Sequence, residues 1–266
     1  MTTVVNPRVT GLGNAISVAL VALLSLLLWE GIIWMGQIHP VLLPRPAEVI
    51  ADMWQQRSVL AMGCLQTGWA ALVGLGSSVV LGAAIGTLFS QSQRLRIGFF
   101  PYVMFLQTVP IIGIAPLLIT WSGYQFRTVV LVVTIISLFP IINSVTAGLL
   151  ATPPQWLDLF RLYGAGRFRT LYKLRVPAAV PYILVGIRTS AGLAVIGAIV
   201  GDFFIGFGSQ HDGLGTLMLS WLNQQRTASL IGAMLASAVV GLVLYGLIAL
   251  LANTLLRRWN LPTRES

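Results

Sequence analysis

Charge is scarce in this chain: 9% of its 266 residues are charged, with 16 Lys and Arg against 7 Asp and Glu. A soluble domain carries about 25%. So few charges cannot cover a water-facing surface, which excludes an ordinary soluble domain and makes lipid part of the solvent. The one cysteine, Cys64, excludes an internal disulfide and any Cys-based metal cage, and reads as a small apolar filler. Two scattered histidines, His39 and His211, make no metal site. No Gly-x-Ser-x-Gly elbow, His-Glu-x-x-His pair or Walker A loop occurs. No catalytic residue, metal or bound cofactor is therefore expected, and any ATP used must be bound by another chain. The net charge of +9 is read as loop bias of a membrane protein and not as a nucleic-acid surface.

What is abundant is apolar sequence, 56% of residues, in long continuous runs. The ten-residue alternation of a membrane barrel is missing. The expected fold is an all-α polytopic membrane protein, one domain over 1–266, with six spans near 14–35, 67–89, 99–121, 128–150, 178–204 and 228–256. The third run holds Pro110 and Pro116, and the fourth Pro140. The first run lacks a basic n-region and A-x-A cleavage site, so it reads as a retained span. Gly74, Gly76, Ser77, Ser78, Gly82, Ala83 and Gly86 suit close helix packing. Stretches 44–54 and 214–225 read as short surface helices, the former with Pro46 at a first helical position.

Loop charges set the orientation. With the N-terminus cytoplasmic, the inside holds Arg8, Arg94, Arg96, Arg161, Arg167, Arg169, Lys173, Arg175, Arg257, Arg258 and Arg264. The outside holds Arg45, Arg57, Arg127 and Arg226, with both histidines. Eleven against four places both termini inside.

The connection 151–177 is a basic, amphipathic insert. Pro153 and Pro154 stop the fourth span. A fresh helix follows, with Asp158 near its beginning favoured by the dipole, and Leu159, Phe160, Leu162 and Tyr163 give it an apolar surface. Gly164 permits a sharp turn into a second basic helix, about 167–173, and Pro177 opens the next span. Such an insert either docks a cytoplasmic protein or grips anionic lipid.

The spacing Asp158-Leu159-Phe160, Gly164, Leu174-x-Val176-Pro177 resembles the EAA loop of permease subunits in binding-protein-dependent ABC importers. The run from Pro177 to Arg188 resembles that family's approach to its fifth helix. Leu43-Pro-Arg-Pro46 with Val49, Val109-Pro110, Ala115 to Trp121 and Asp212-Gly-Leu-Gly215 resemble its nitrate/sulfonate/taurine/bicarbonate branch. The resemblance implies a type I importer permease in the bacterial inner membrane. It also implies a homodimer, a cytoplasmic ATPase dimer that binds the ATP, and an extracytoplasmic substrate-binding protein. Asp158, Leu159, Phe160, Tyr163, Gly164, Arg167 and Pro177 become the expected ATPase-coupling residues. Where the family has Glu-Ala-Ala, this chain has Asp-Leu-Phe, which implies an ATPase cleft shaped for bulky side chains. The branch implies a small oxyanion such as nitrate, sulfonate, taurine or bicarbonate, and related members imply a pyrimidine-type vitamin precursor.

Arg188 and Asp202 share the fifth span, about 21 Å apart along a helix, too far to pair. Charge in hydrocarbon costs at least ~2.5 kcal/mol, so each either lines a pathway or has a local partner that holds the bundle. Gln107, Thr108 and Pro110 are pathway candidates at a proline break, with a packing kink as the alternative. Glu30, near Trp29 and Trp34, reads as an interfacial acid. An ATP-independent secondary transporter is the competing reading. It predicts inverted repeats and more buried ionisable groups, neither of which the sequence displays.

Overall fold

The computed structural model describes residues 7–205 and 212–259; Arg264, His211 and the 206–210 stretch lie outside them, as do the side chains of Arg8, Arg257 and Arg258. The described elements are helical: α1 (Pro7–Gly36), α2 (Pro46–Gln55), α3 (Arg57–Gln91), α4 (Gln93–Thr108), α5 (Ile111–Ser122) and α6 (Phe126–Leu150) come first. After them come α7 (Pro154–Leu162), α8 (Arg167–Thr170), a π-helical turn (Leu171–Arg175), α9 (Val176–Ile205), α10 (Leu214–Asn223) and α11 (Thr227–Trp259). Among the described residues five helical runs are long and apolar enough to cross a membrane, and α4 with α5 supply a sixth if that bent pair is one span. The chain is an all-α, multi-pass membrane protein.

The third expected span is not one straight helix. Its two halves meet at 98°. Pro110 has no N–H and disfavours the helical region for its predecessor, and Val109 accordingly sits at φ −69°, ψ 125°. Pro116 and Pro140, in contrast, lie inside α5 and α6 without ending them. The expected second basic helix is also different: α8, the π turn and α9 form one helical run from Arg167 to Ile205. Pro177 therefore does not open a helix. The π turn comes directly before it, with Val176 N–H donating to the Leu171 carbonyl, five residues back. An α-helical proline clashes with the carbonyl four residues back, and the wider turn falls where that clash would arise.

The core is the packing of α3, α6 and α9. Val129, Val133, Ile141, Val145, Ala191, Ala194 and Ala198 are buried in it. Lipid gives no hydrophobic drive between helices, so close van der Waals approach must hold them. Gly74, Gly82 and Gly86 on α3 supply that approach, each lying against a β-branched residue of α6. Gly76 meets nothing, so three of the four glycines of the expected small-residue face are used and one is not. Gly186, Gly197 and Gly201 perform the same service for α9 against α6.

A Cβ at position 82 would lie 2.7 Å from Ile141 Cγ2. Gly82→Val should therefore lower stability by about 1–3 kcal/mol through overpacking. Gly76→Ala should stay within about 0.5 kcal/mol of the parent. Thermal unfolding of the two proteins in detergent separates them; equal unfolding temperatures would remove the close-packing account.

The outlying helices differ from the core. Only 6% of the α1 span is buried, against 50% of α6. The helix α4 has no buried residue. At one end of the bundle α2 and α10 lie beside the start of α11, tied by Arg226 to Asp52 at 3.4 Å and by Thr227 Oγ1 donating to the Val41 carbonyl. The segment α7–α8 occupies the opposite end, beside the last residues of α3.

Candidate functional site

The insert forms a capped corner. Pro154 takes the first position of α7, where its missing N–H costs nothing. The helix ends in paired reverse bonds: Ala165 N–H donates to the Phe160 carbonyl and Gly164 N–H to the Arg161 carbonyl, both 2.9 Å. This Schellman arrangement requires a left-handed residue at its turn, and Gly164 has φ +66°. The expected sharp turn at Gly164 is present, and its reason is this cap.

Asp158 sits differently from its expected place. It is the fifth of nine residues in α7, and the first turn holds no acid. The dipole effect falls off within one turn, so that source of stability does not operate here. Asp158 instead accepts from Arg161 at 3.1 Å, in an exposed pair of little energetic weight.

The apolar surface of α7 is turned outward. Leu162 is 84% exposed and Tyr163 81%. Trp156 and Leu159 are exposed beside them, while Phe160 is partly buried. The bulky pair Leu159–Phe160 thus divides, one residue outward and one inward. Trp156 and Leu162 were not among the expected coupling residues, yet their spacing with Leu159 at three-residue steps carries the signal. Arg167 is exposed on α8, and Pro177 lies within the first turn of α9, partly buried.

Asp202 is completely buried. Its Oδ2 accepts from Thr67 Oγ1 on α3 at 2.6 Å, and Thr67 Oγ1 in turn accepts from Leu214 N–H at 2.8 Å. Thr216 Oγ1 donates to the Asp202 carbonyl at 2.9 Å. The carboxylate therefore lies at the N-terminal end of α10, where orphan N–H groups and the dipole favour negative charge. A Cβ on Gly213 would overlap this carboxylate, and one on Gly215 would overlap the Ile199 carbonyl. The sequence Asp212-Gly-Leu-Gly215 is thus a close-approach motif that seats α10 on α9. Thr67 was legible only as a span residue, because its partner lies 135 positions away.

Arg188 has a local partner as well. Its Nη2 donates to Asn253 Oδ1 at 2.6 Å and to the Ala249 carbonyl at 3.2 Å, linking α9 to α11. Gln107, Thr108 and Pro110 are exposed at the α4–α5 bend, with Thr108 Oγ1 bonded back to the Phe105 carbonyl. The structure thus does not gather Gln107, Thr108, Pro110, Arg188 and Asp202 into one cluster within a single protomer. Glu30 lies 3.7 Å from Arg45, both half-exposed, consistent with an interfacial place.

Comparison with known proteins matches residues 78–260 to the family model of the binding-protein-dependent transport system inner membrane component. The formylaminopyrimidine transport permease protein of Halalkalibacterium halodurans is 30% identical over 245 residues, covering 91% of this chain and 96% of its own. The riboflavin transport system permease protein of Chloroflexus aurantiacus is 29% identical over 262 residues, covering 96% of each. A putative aliphatic sulfonates transport permease protein of Bacillus subtilis is 26% identical over 237 residues, covering 88% and 84%.

Proposed function

The chain belongs to the family of binding-protein-dependent transport system inner membrane components, and we propose on that premise how its parts divide the work. It is a multi-pass inner-membrane permease subunit of an ABC importer. In our reading the α7 end faces the cytoplasm, because the cations of the loops concentrate there. Both described chain ends, at the start of α1 and the end of α11, then lie on that side.

The exposed apolar end of α7 carries the reading. Leu162 and Tyr163 lie outside every apolar run, so lipid tails do not cover them. Large apolar side chains held outward on a capped corner fit a protein cleft. We assign that cleft to a cytoplasmic ATPase, which binds the ATP. Asp158, Leu159, Phe160, Tyr163, Gly164 and Arg167 form the docking unit, and Pro177 with its π turn joins it to α9. A pull on α7 then moves α9, the helix that carries Arg188 and Asp202, and opens the bundle to alternate sides.

A second copy completes the pathway in this proposal. The span of α1 and all of α4 find almost no packing within one protomer, and membrane helices associate through packing. Gln107, Thr108 and Pro110 would then face the copy-to-copy seam. Native mass spectrometry from detergent should give a mass of two chains; a monomer at all concentrations contradicts this part.

For the solute, a small oxyanion is the first reading, with Arg188 the membrane-level cation among the described residues. A pyrimidine-type heterocycle is the second, favoured by the formylaminopyrimidine permease relative. The test is purification with a cognate ATPase and binding protein, followed by uptake into proteoliposomes. ATP-dependent accumulation of a ligand that the binding protein retains is expected. Uptake that proceeds equally without ATPase or ATP returns the secondary-transporter reading.

A further inference from the structure

A cavity of about 430 Å³ opens between α7, α8 and the end of α3. Three guanidinium-bearing residues line it from three separate elements: Arg161 from α7, Arg167 from α8 and Arg175 from the π turn. Ser90, Gln91 and Thr170 add hydroxyl and amide groups. Arg161 is paired with Asp158 at 3.1 Å, but among the described residues no carboxylate lies within ion-pair distance of Arg167 or Arg175. Like charges around one cavity repel unless an anion joins them. The walls thus carry three cations, one of them paired with Asp158, with room to spare for a tetrahedral oxyanion.

Two further observations indicate what kind of anion. The π turn falls where Arg175 enters the wall, and Arg175 is partly buried although it carries a charge. A π turn inside a longer helix is often found at a functional site. Second, Ser90 and Gln91 end α3, a helix of 35 residues. The apolar span read from the sequence ends at residue 89, which sets Ser90 and Gln91 at the level of the headgroups. Exposed Phe168 and Tyr172, one turn apart on the same run, fit the aromatic level of a membrane interface.

We propose that this cavity binds a phosphate-bearing anion, the headgroup of an acidic phospholipid being the source that its depth favours. The arginine fork suits phosphate through paired N–H donors. A bound headgroup would join α7, α8 and α3, and so fix the corner against the membrane surface. Arg167 belongs both to the docking unit and to this cavity, so the site is read on the permease alone, where lipid or phosphate binding is independent of any ATPase.

The full-length protein is purified in neutral detergent and titrated with dioleoylphosphatidylglycerol, with bound lipid read by native mass spectrometry. Arg167→Gln/Arg175→Gln is compared with Arg94→Gln/Arg96→Gln, which removes equal charge from the start of α4 outside the cavity. Loss of two guanidinium donors to the phosphate should weaken phosphatidylglycerol binding roughly 30-fold in the cavity variant, and much less in the control, whose cations make no bond to the bound headgroup. Arg167→Lys/Arg175→Lys, which keeps charge and fold, should recover part of the binding. Inorganic phosphate is the second probe. If it raises the unfolding temperature of the parent but not of the Gln variant, while phosphatidylglycerol binds both alike, the site stands and its source is soluble phosphate. Equal phosphatidylglycerol binding in all proteins with no cavity-dependent phosphate effect overturns the proposal. So does a result in which only ATPase capture falls, because the cavity is then a protein contact.

Discussion

Leu162→Asp/Tyr163→Asp should abolish ATP-driven uptake by the reconstituted complex while the permease still inserts and folds. Both side chains are more than four-fifths exposed, so their replacement breaks no contact within the protomer. Stability of the isolated permease should change by no more than about 0.5 kcal/mol, as for other exposed sites. At an interface the outcome is different. Large apolar anchors at a well-packed centre cost about 2 kcal/mol or more each on truncation, and a buried unpaired aspartate costs more. Together they should weaken ATPase capture by about 1,000-fold, which is loss of the complex at ordinary concentrations. Gly164→Val attacks the same unit from its corner. Its φ of +66° is unfavourable for a β-branched residue by about 1–2 kcal/mol, although the space around it is open. The docking face would be intact but misdirected, and capture should fall roughly 10-fold. An ATPase that co-purifies in parental yield with the double aspartate variant would refute the docking role of α7.

Five of the long apolar runs, the short helices near 44–54 and 214–225 and the turn at Gly164 could be read directly, because each depends on residues close in sequence. Pro46 and Pro154 announce helix starts, and Pro110 announces a break. What proved illegible depends on direction or on distant partners. Pro110, Pro116 and Pro140 look alike in a sequence, yet only the first ends a helix, because the surrounding bundle decides whether freed backbone groups are satisfied. The division of Leu159 from Phe160 follows from where α7 leans on its neighbours, which no local pattern records. The run through Pro177 reads as an interruption until the π turn is seen to absorb it. Arg188 and Asp202 were recognised as costly charges, but Asn253 and Thr67, their partners, lie on helices 65 and 135 positions away.

The second large effect is expected at Asp202, where the mild-looking change should do the greater damage. Thr67→Val replaces a hydroxyl by a methyl at nearly constant shape. It removes the donor to Asp202 Oδ2 and the acceptor for Leu214 N–H in one step. A buried carboxylate that loses a donor and a buried N–H that loses its acceptor should together cost about 3–5 kcal/mol. Asp202→Asn removes the charge but retains an oxygen that can accept from Thr67, and its loss should be smaller, about 1.5–3 kcal/mol. On the Asn background Thr67→Val removes a bond to a neutral amide oxygen instead of one to a carboxylate, so its further cost should shrink. A double-mutant cycle read by unfolding in detergent should give a coupling of about 1–3 kcal/mol. Additive costs would mean that the two side chains do not act as one clamp. Uptake at a temperature where every variant remains folded separates the anchor from a pathway role. An anchor predicts that Asp202→Asn transports at a near-parental rate until it begins to unfold, because the seat of α10 is weakened but in place. A carboxylate that meets the solute predicts lost uptake with unfolding unchanged. Complete burial against Thr67, with Gly213 too close for any Cβ, leaves no room for solute within the protomer and favours the anchor.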